Sequence, residues 1–261
     1  MARRLVNGGR QGVCGSKEIV WRFGERFEFL AGLTACYSPP CIVLVSSRPR
    51  LTICSGVVGG GMGYRRFFIN RQVDKNYCHH QPLREMEEFI GKNFSDLSGG
   101  CAEGWSALMT AARLEDAAWV KLWEDELEAG VIVSAGVNNA CSAGITGRPQ
   151  RGTVLPAGTI NIMVFFSRPL LPAALVNAVQ TVTEAKTALL GELGVTCPAT
   201  GVRATGTSTD AVIVAGGPGE DRPQAYAGPL TAAGYLAARG VRAGLSRALH
   251  RYWNREKGGS F

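Results

Sequence analysis

The segment from Thr159 to Phe166 constrains the fold more than any other feature of the sequence, because it is an almost unbroken run of β-branched and aromatic residues. It lacks the alternation of polar and apolar residues that marks a strand with one face in water. A strand of this kind is covered on both of its faces. The sequence therefore predicts a strand buried inside the protein, with other elements packed on each side of it.

Shorter apolar segments predict further strands, most of them in the first half of the chain. Turn signals such as Ser-Pro-Pro and Arg-Pro-Arg separate the early ones, which is typical of antiparallel hairpins. The other predicted strands are 27–30, 41–45, 51–54, 117–123, 130–134 and 210–215. Apolar residues at helical spacing, with Pro at the start of two segments, predict helices at 82–93, 172–193 and 228–253.

Locally paired strands early in the chain and long helices late in it favour an α+β fold over repeated βαβ units. We therefore predict a single mixed domain, with a largely antiparallel sheet in the N-terminal half and the long C-terminal helices packed on it. A chain of 261 residues is long enough to bury such a core. The predicted division is a basic N-terminal extension at 1–26, the main domain at 27–253 and a basic tail at 254–261.

The net charge of +7 is concentrated at the two ends of the chain. Residues 1–27 carry six basic and two acidic side chains, and residues 229–261 carry six basic and one acidic. No basic run alternates with stacking aromatic residues, so nucleic acid is not an expected partner. The sequence shows neither an apolar run near the roughly 20 residues of a membrane span nor a signal-peptide pattern. We expect a cytoplasmic protein without membrane contact. The sequence does not determine its oligomeric state.

The eight cysteines and three histidines do not follow the spacing of a tight metal site. The set that comes nearest is Cys36, Cys41, Cys78 and His79, and it leaves a thiol- or zinc-dependent regulatory protein as one alternative. A Ser-His-Asp triad is not expected with so few histidines. We expect free thiols, no bound metal, and a carboxylate or a lysine as any general base.

A lysine interrupts the apolar stripe of the long predicted helix. On a helical wheel of about 100° per residue, Lys186 lies about 20° from Leu175, beside Val179 and Val182, whereas Glu184 lies on the opposite side. An ammonium group in such a stripe must reach solvent, pair with an anion or lose its proton. Lys186 is therefore either a structural lysine or a pocket lysine that takes part in chemistry.

Polar residues adjoin the predicted core strands, and strand ends are common places for functional sites. Each of these residues alone is more often a cap or a turn residue, but their number favours a common site. They are Asn138, Asn139, Asn161, Thr207, Ser208, Thr209 and Asp210. The run 59–63 lacks the Lys-Ser/Thr of a phosphate-binding loop, so it indicates a tight turn or a close approach of backbone to ligand.

Four segments resemble the adenosylcobinamide amidohydrolase family of corrinoid salvage in their residues, order and spacing. They are Ala-Gly-Val-Asn-Asn-Ala at 135–140, Pro-Ala-Gly-Thr-Ile-Asn-Ile at 156–162, Asn-Ala-Val at 177–179 with Thr-Glu-Ala-Lys at 183–186, and Gly-Thr-Ser-Thr-Asp-Ala at 206–211. Segments 55–61, 70–73 and 108–111 add to the likeness. It extends over roughly residues 40 to 252.

The resemblance implies hydrolysis of the amide that joins aminopropanol to a corrin-ring propionate of adenosylcobinamide. The products would be adenosylcobyric acid and aminopropanol, and the first re-enters cobamide assembly. The implied partner is adenosylcobinamide or a related corrinoid, without a separate cofactor, because the cobalt belongs to the substrate. The alternative from another class is a non-catalytic corrinoid-binding carrier or sensor.

Amide hydrolysis needs an activated water or hydroxyl, donors for an oxyanion, and an acid for the leaving amine. Glu184 or Asp210 is the candidate base. The alternative is a covalent nucleophile activated by Lys186, for which the candidates are Thr207, Ser208 and Thr209. The candidate substrate-binding residues are Asn70, Asn139, Thr159, Asn161, Gly59 and Gly60. We expect Lys186, Asn161 and Asp210 to meet around the scissile bond.

Overall fold

The computed structural model describes residues 14–20, 24–98, 104–148, 158–219 and 221–258. The strands in these ranges are β1 (Cys14–Glu18), β2 (Arg26–Leu30), β3 (Leu33–Ser38), β4 (Cys41–Cys54), β5 (Gly61–Gln72), β6 (Trp105–Thr110), β7 (Ala118–Glu124), β8 (Leu127–Gly136), β9 (Ala140–Cys141), β10 (Thr159–Phe166), β11 (Gly206–Thr207) and β12 (Ala211–Ala215). The helices are α1 (Pro82–Asn93), α2 (Ser95–Ser98), α3 (Pro172–Glu192) and α4 (Ala232–Gly258).

Ten strands form one sheet that is mostly antiparallel. Its main path has the order β1-β7-β8-β10-β12-β4-β3-β2, and β5 pairs with both β4 and β6. The pairs β10–β12 and β5–β6 are parallel, and β9 and β11 form a separate small sheet. The long strand β4 pairs with β3 through its first half and with β12 through its last residues. Its register against β5 shifts between Val45 and Arg50, and the sheet folds over at this strand.

The two halves of the folded sheet pack face to face, and helices cover their outer faces. Phe68 of β5 meets Phe165 of β10 edge-to-face between the halves, with ring centroids 4.9 Å apart. A second core lies between the β7–β8–β10–β12 half and the helices α3 and α4. A third lies beneath α1, against β5 and β6. The predicted α+β class is confirmed: one mixed domain contains a strand-rich N-terminal half and long C-terminal helices.

Several predicted elements are confirmed, and one is wrong. All eight residues of β10 are buried, as its unbroken apolar sequence predicts. α1 spans the predicted residues, and α3 ends at Glu192, two residues before Gly194 with its positive φ of 69°. The turn predicted at 48–50 is wrong, because these residues continue β4 through the register shift. A bulge of this kind tolerates Pro49, which has no N–H to give to the ladder.

Parts of both predicted terminal extensions belong to this architecture. β1, within residues 1–26, pairs antiparallel with β7, and its residue Glu18 forms ion pairs with Arg247 and Arg251 of α4. α4 itself continues to Gly258, and Arg255 pairs with Asp116. The domain limits at 26 and 253 stay a prediction.

In the described ranges, every helix is too short or too polar to cross a membrane.

Candidate functional site

A charged pair lies where α3 passes the start of β12. Lys186 of α3 forms an ion pair with Asp210, the residue immediately before β12, and the two side chains are only 12% and 16% exposed. Thr207 Oγ1 donates to Asp210 Oδ1 at 2.5 Å, and the Ile160 N–H donates to the same oxygen at 3.1 Å. The lysine in the apolar stripe is therefore satisfied by an anion, which is one of the outcomes its position predicts.

The chain connection from β10 to β12 explains why these residues meet. The two strands are parallel and adjacent, so the chain must cross back between them, and α3 makes that crossing. α3 therefore runs antiparallel to both strands, and its second half returns to the end where they begin. Gly206 permits the close approach, since a Cβ there would lie 2.4 Å from Asp210 Oδ2 and 2.7 Å from Lys186 Nζ.

A second group of polar side chains lies at the same end of β10. Thr209 Oγ1 donates to the Gly158 carbonyl at 2.8 Å and lies 2.8 Å from Thr159 Oγ1. Asn139 Nδ2 donates to the Gly158 carbonyl at 2.7 Å and to Ser208 Oγ at 2.8 Å. Among the described residues, no donor reaches the buried Oδ1 of Asn139. Four predicted site residues therefore form one hydrogen-bonded group around a single carbonyl.

A cavity of about 160 Å³ opens beside the charged pair, between α3 and the starts of β10 and β12. Lys186 and Asp210 lie on its wall together with two hydroxyl residues, Ser55 and Thr183. The rest of the lining is apolar and consists of Ile160, Ile162, Val179, Val182, Ala211 and Val212. A mostly apolar chamber with a few convergent polar groups is the usual form of a small-molecule site.

Glu184, predicted as an alternative base, does not line this cavity. It is exposed, because two residues at about 100° each place it on the far side of α3 from Lys186. The carboxylate that accompanies Lys186 is Asp210 alone among the described residues. Of the two predicted bases, Asp210 is therefore the one that lines the cavity with Lys186.

Asn161 and Asn70 lie between the two halves of the sheet, on the face of β10 that points away from α3. Asn161 Nδ2 donates to Asn70 Oδ1 and to the Met109 carbonyl, each at 2.9 Å, and Asn70 Nδ2 donates to Ser134 Oγ at 2.9 Å. Successive side chains of a strand alternate between its faces, so Asn161 and Lys186 are on opposite sides of the sheet. The expected meeting of Asn161 with the charged pair is wrong.

Gly59 and Gly60 lie in the connection between β4 and β5, and neither lines the cavity. Gly59 has a φ of 65°, and a Cβ there would lie 2.0 Å from the Trp105 carbonyl. Close packing of backbone on a neighbouring strand therefore explains this glycine. Ser55, at the start of the same connection, does line the cavity, and its Oγ accepts from the Val212 N–H at 2.9 Å. The one sequence feature that points to Ser55 as a site residue is its place in segment 55–61, which is part of the family resemblance.

Cys141 lies beside the charged pair. The sequence pattern predicts only a free thiol at this position. Cys141 stands opposite Gly206 in the small β9–β11 sheet. Burial raises the pKa of the Cys141 thiol, and the negative charge of Asp210 raises it further. The raised pKa favours the neutral thiol of Cys141 over the thiolate.

The cysteines of the described ranges are all free thiols, and Cys101 lies outside these ranges. In the same ranges, no three His, Cys, Asp or Glu side chains are grouped closely enough to hold a metal ion. His79 is exposed, and its Nδ1 accepts from the Gln81 N–H at 3.1 Å. In the described part of the chain, Cys36, Cys41, Cys78 and His79 therefore do not form the metal-binding cluster that the zinc-dependent alternative needs.

Comparison with known proteins gives both structural and sequence likenesses. Similar solved structures include the PH0078 protein from Pyrococcus horikoshii OT3, with a TM-score of 0.44, 10% identity, and coverage of 90% of this chain and 83% of that one. Another is the L-aminopeptidase D-Ala-esterase/amidase from Ochrobactrum anthropi, described as a variant of the Ntn hydrolase fold, with a TM-score of 0.41, 11% identity, and coverage of 91% and 83%.

The sequence likenesses are stronger. A curated protein of Methanosarcina mazei (strain Goe1), named adenosylcobinamide amidohydrolase, is 32% identical over 200 residues, which are 72% of this chain and 86% of the relative. Residues 27–257 match the family model described as adenosylcobinamide amidohydrolase. That range includes the charged pair and the whole lining of the cavity.

Proposed function

Because the chain belongs to the adenosylcobinamide amidohydrolase family, we propose that it hydrolyses the amide joining aminopropanol to a corrin-ring propionate of adenosylcobinamide. The products are adenosylcobyric acid and aminopropanol, and the acid re-enters cobamide assembly. The observation that carries the proposal is the Lys186–Asp210 pair on the wall of an apolar cavity of about 160 Å³. Such a chamber suits a short uncharged arm whose amide must reach an acid and a base.

In the proposed reaction, Asp210 accepts a proton from a water molecule in the cavity while that water attacks the amide carbon. Thr207 and Ile160 donate to Oδ1 and hold the carboxylate in position. The Lys186 ammonium stabilises the oxyanion, and the proton that Asp210 took from the water passes to the leaving nitrogen. The C–N bond then breaks, leaving a carboxylate on the ring and releasing protonated aminopropanol.

A covalent route would use the same residues in other roles. Thr207 Oγ1 is hydrogen-bonded to a carboxylate base, as an activated hydroxyl nucleophile requires. Attack by Thr207 would give an acyl-enzyme and release aminopropanol before water enters. The cavity lining favours the water route, because it includes Asp210 and Lys186 but not Thr207. Ser208 and Thr209 are less suited to attack, since their hydroxyls bond to Asn139 and Gly158.

The setting that we propose is the cytoplasm, since the free cysteines of the described ranges suit a reducing compartment. We propose no separate cofactor, because amide hydrolysis consumes only water. The partner is then the corrinoid substrate itself. A carrier or sensor, by contrast, would return adenosylcobinamide intact after incubation, which a chromatographic assay detects.

The test is aminopropanol release by Lys186→Met and Asp210→Asn proteins. We expect each substitution to lower kcat by on the order of 10²–10⁴-fold, as for the loss of an acid–base or oxyanion group. Glu184→Gln is the matched control in the same helix and should keep wild-type activity. Near-normal turnover by folded Lys186→Met and Asp210→Asn proteins would overturn the proposal.

Substitution of Thr207 separates the two routes. In the water route, Thr207→Val removes one hydrogen bond to the base and lowers kcat by about tenfold. In the covalent route, Thr207→Val abolishes turnover, and Thr207→Ser keeps part of it and allows a serine ester to be trapped by rapid quench and mass spectrometry. A trapped acyl-enzyme on residue 207 would contradict the water route.

A further inference from the structure

The cavity beside the charged pair is too small to enclose the macrocycle of the proposed substrate. Its volume of about 160 Å³ is below the roughly 300–1,000 Å³ of pockets that enclose drug-sized ligands. A corrin ring with its side chains is larger than such ligands. If the aminopropanol arm enters the cavity, the ring must therefore lie against the protein surface at the cavity mouth.

An exposed apolar surface lies next to the cavity, and we call it the apolar shelf. It consists of Met62 and Tyr64 of β5 and Val176 of α3, whose exposed fractions are 42%, 67% and 45%. Between them, Leu51 and Ile53 of β4 are partly buried against the core under the helices. Exposed apolar groups that are grouped in this way often mark a ligand-binding surface.

Strand pairing places Met62 and Tyr64 on the same side of the sheet as α3. In the β4–β5 ladder, Met62 stands opposite Ile53 and Tyr64 opposite Leu51, and residues directly opposite each other share a face. Ile53 also stands opposite Val214 of β12, which belongs to the core beneath α3. Met62 and Tyr64 therefore lie on the face of the sheet that α3 covers, but beyond the edge of this helix, where their side chains are exposed.

The third shelf residue continues a row of α3 that lines the cavity. Val179, Thr183 and Lys186 all contribute to the cavity wall, and Val176 precedes Val179 by three positions. Residues three or four apart are neighbours on a helix surface, so these four side chains form one flank of α3. The shelf and the cavity are therefore continuous, with the charged pair at one end and Met62 and Tyr64 at the other.

We infer that the corrin ring lies on the apolar shelf while the aminopropanol arm reaches the charged pair, an inference that rests on the proposed function. Tyr64 offers a broad aromatic face for apolar contact with the macrocycle, and Met62 and Val176 offer apolar contact area that adapts to its edge. The shelf thus sets the affinity for corrinoids, whereas Lys186 and Asp210 perform the cleavage.

Binding of adenosylcobyric acid tests the shelf apart from the chemistry, because this compound has the ring but no aminopropanol arm. The variant carries Met62→Ser, Tyr64→Ser and Val176→Ser together. We expect its Kd for adenosylcobyric acid, measured by calorimetric titration, to rise by about tenfold or more, since each lost apolar contact weakens binding. Its KM for adenosylcobinamide should rise in parallel, with kcat changed by less than about twofold.

The matched control carries Ile145→Ser, Tyr226→Ser and Leu230→Ser, which are exposed apolar residues outside the shelf and the cavity lining. It should keep the wild-type Kd and KM, and thermal melting verifies that both triple variants fold. An unchanged Kd in the folded shelf variant would overturn the inference. Wild-type protein that binds the ring but releases no aminopropanol would contradict the proposed function alone, and the Kd comparison would still decide the shelf.

Discussion

Gly206 illustrates how closely the site is fitted at the scale of single residues. It lies in β11 directly against the charged pair, where any side chain would meet Asp210 Oδ2 and Lys186 Nζ. The absence of a Cβ lets the backbone pass beside two opposite charges without separating them. Gly206 therefore affects the charged pair only sterically, because the space of its missing side chain is occupied by Asp210 and Lys186.

We predict that Gly206→Ala lowers kcat by on the order of tenfold or more, because the added methyl displaces the carboxylate from the ammonium and small misplacements are costly in catalysis. Steady-state kinetics with adenosylcobinamide measures the effect. Gly147→Ala is the control, since a Cβ at Gly147 meets nothing within 4 Å. Equal activity of the two variants would show that the position of the pair is not critical.

The sequence predicts part of this site at the residue scale. Lys186 is conspicuous because a charge interrupts an apolar stripe, and Asp210 because polar residues precede a buried strand. The helical wheel already places Glu184 on the far side of α3 from Lys186, but it cannot identify the carboxylate that faces the lysine; the crossover through α3 brings Asp210 there. The prediction for Asn161 is wrong because the residue's surroundings depend on which face of β10 packs against α3. The sequence of the strand alone does not determine that face.

At the scale of elements, two glycines bring α4 close to the sheet. A Cβ at Gly240 would lie 2.4 Å from Val131 Cγ2, and a Cβ at Gly244 would lie 2.8 Å from Val133 Cγ2. Glycine in a helix interior costs about 1 kcal/mol relative to alanine, so close packing on β8 is the physical reason for both. The position of α4 over the sheet therefore depends on residues without side chains.

We predict opposite effects for two glycine-to-alanine substitutions in helices. Gly240→Ala should lower the free energy of unfolding by about 1–3 kcal/mol, because overpacking outweighs the better helix propensity. Gly191→Ala in α3 should raise it by about 0.5–1 kcal/mol, since the nearest atoms, in Arg203, are 4.0 Å from a Cβ there. Urea unfolding measures both changes. Effects of the same sign would refute the packing argument for α4.

Strand β4 shows why some elements escape prediction. The dipeptide signals around Pro49 are those of a turn, and a turn is what local rules predict there. The strand continues because Arg50 finds buried acceptors in distant parts of the chain and because a register shift tolerates the proline. By contrast, β10, α1 and α3 are predicted well because their patterns are long and locally consistent.

At the scale of the whole molecule, Arg50 joins separate parts of the folded sheet. It is fully buried, and its guanidinium donates to the carbonyls of Phe166 at 2.9 Å and Gly216 at 3.3 Å, to Ser46 Oγ at 2.8 Å and to the Ala31 carbonyl at 3.4 Å. Burial lowers its pKa to about 10, so it remains charged at neutral pH. In the described ranges no carboxylate contributes to its pKa, and carbonyl oxygens accept its hydrogen bonds instead.

We predict that Arg50→Met lowers the free energy of unfolding by about 2–4 kcal/mol, because buried carbonyls lose their donor. Arg50→Lys should also destabilise the protein, since one ammonium cannot span acceptors that a planar guanidinium reaches in several directions. Denaturant unfolding at pH 7 gives the values. Arg113→Lys, at a 54% exposed side chain, is the control and should change stability by less than about 0.5 kcal/mol. Wild-type stability of Arg50→Met would refute this role.

The overall class follows from the order of elements along the chain, but the layering does not. Early hairpins and late helices predict an α+β domain, as the structure has it. The folding-over of the sheet depends on β12 pairing with β10 on one side and β4 on the other. Because β4 and β12 are far apart in sequence, no local sequence pattern predicts that the two strands pair.

The position of β12 between β10 and β4 also has a consequence for biosynthesis. Among the described strands of the large sheet, β12 is the last along the chain and therefore the last to leave the ribosome. Until it emerges, the nascent chain carries open strand edges on both β10 and β4, and such edges pair readily with other chains. The emergence of β12 therefore closes an aggregation-prone gap in the sheet, and a chaperone that shields strand edges would act before that moment.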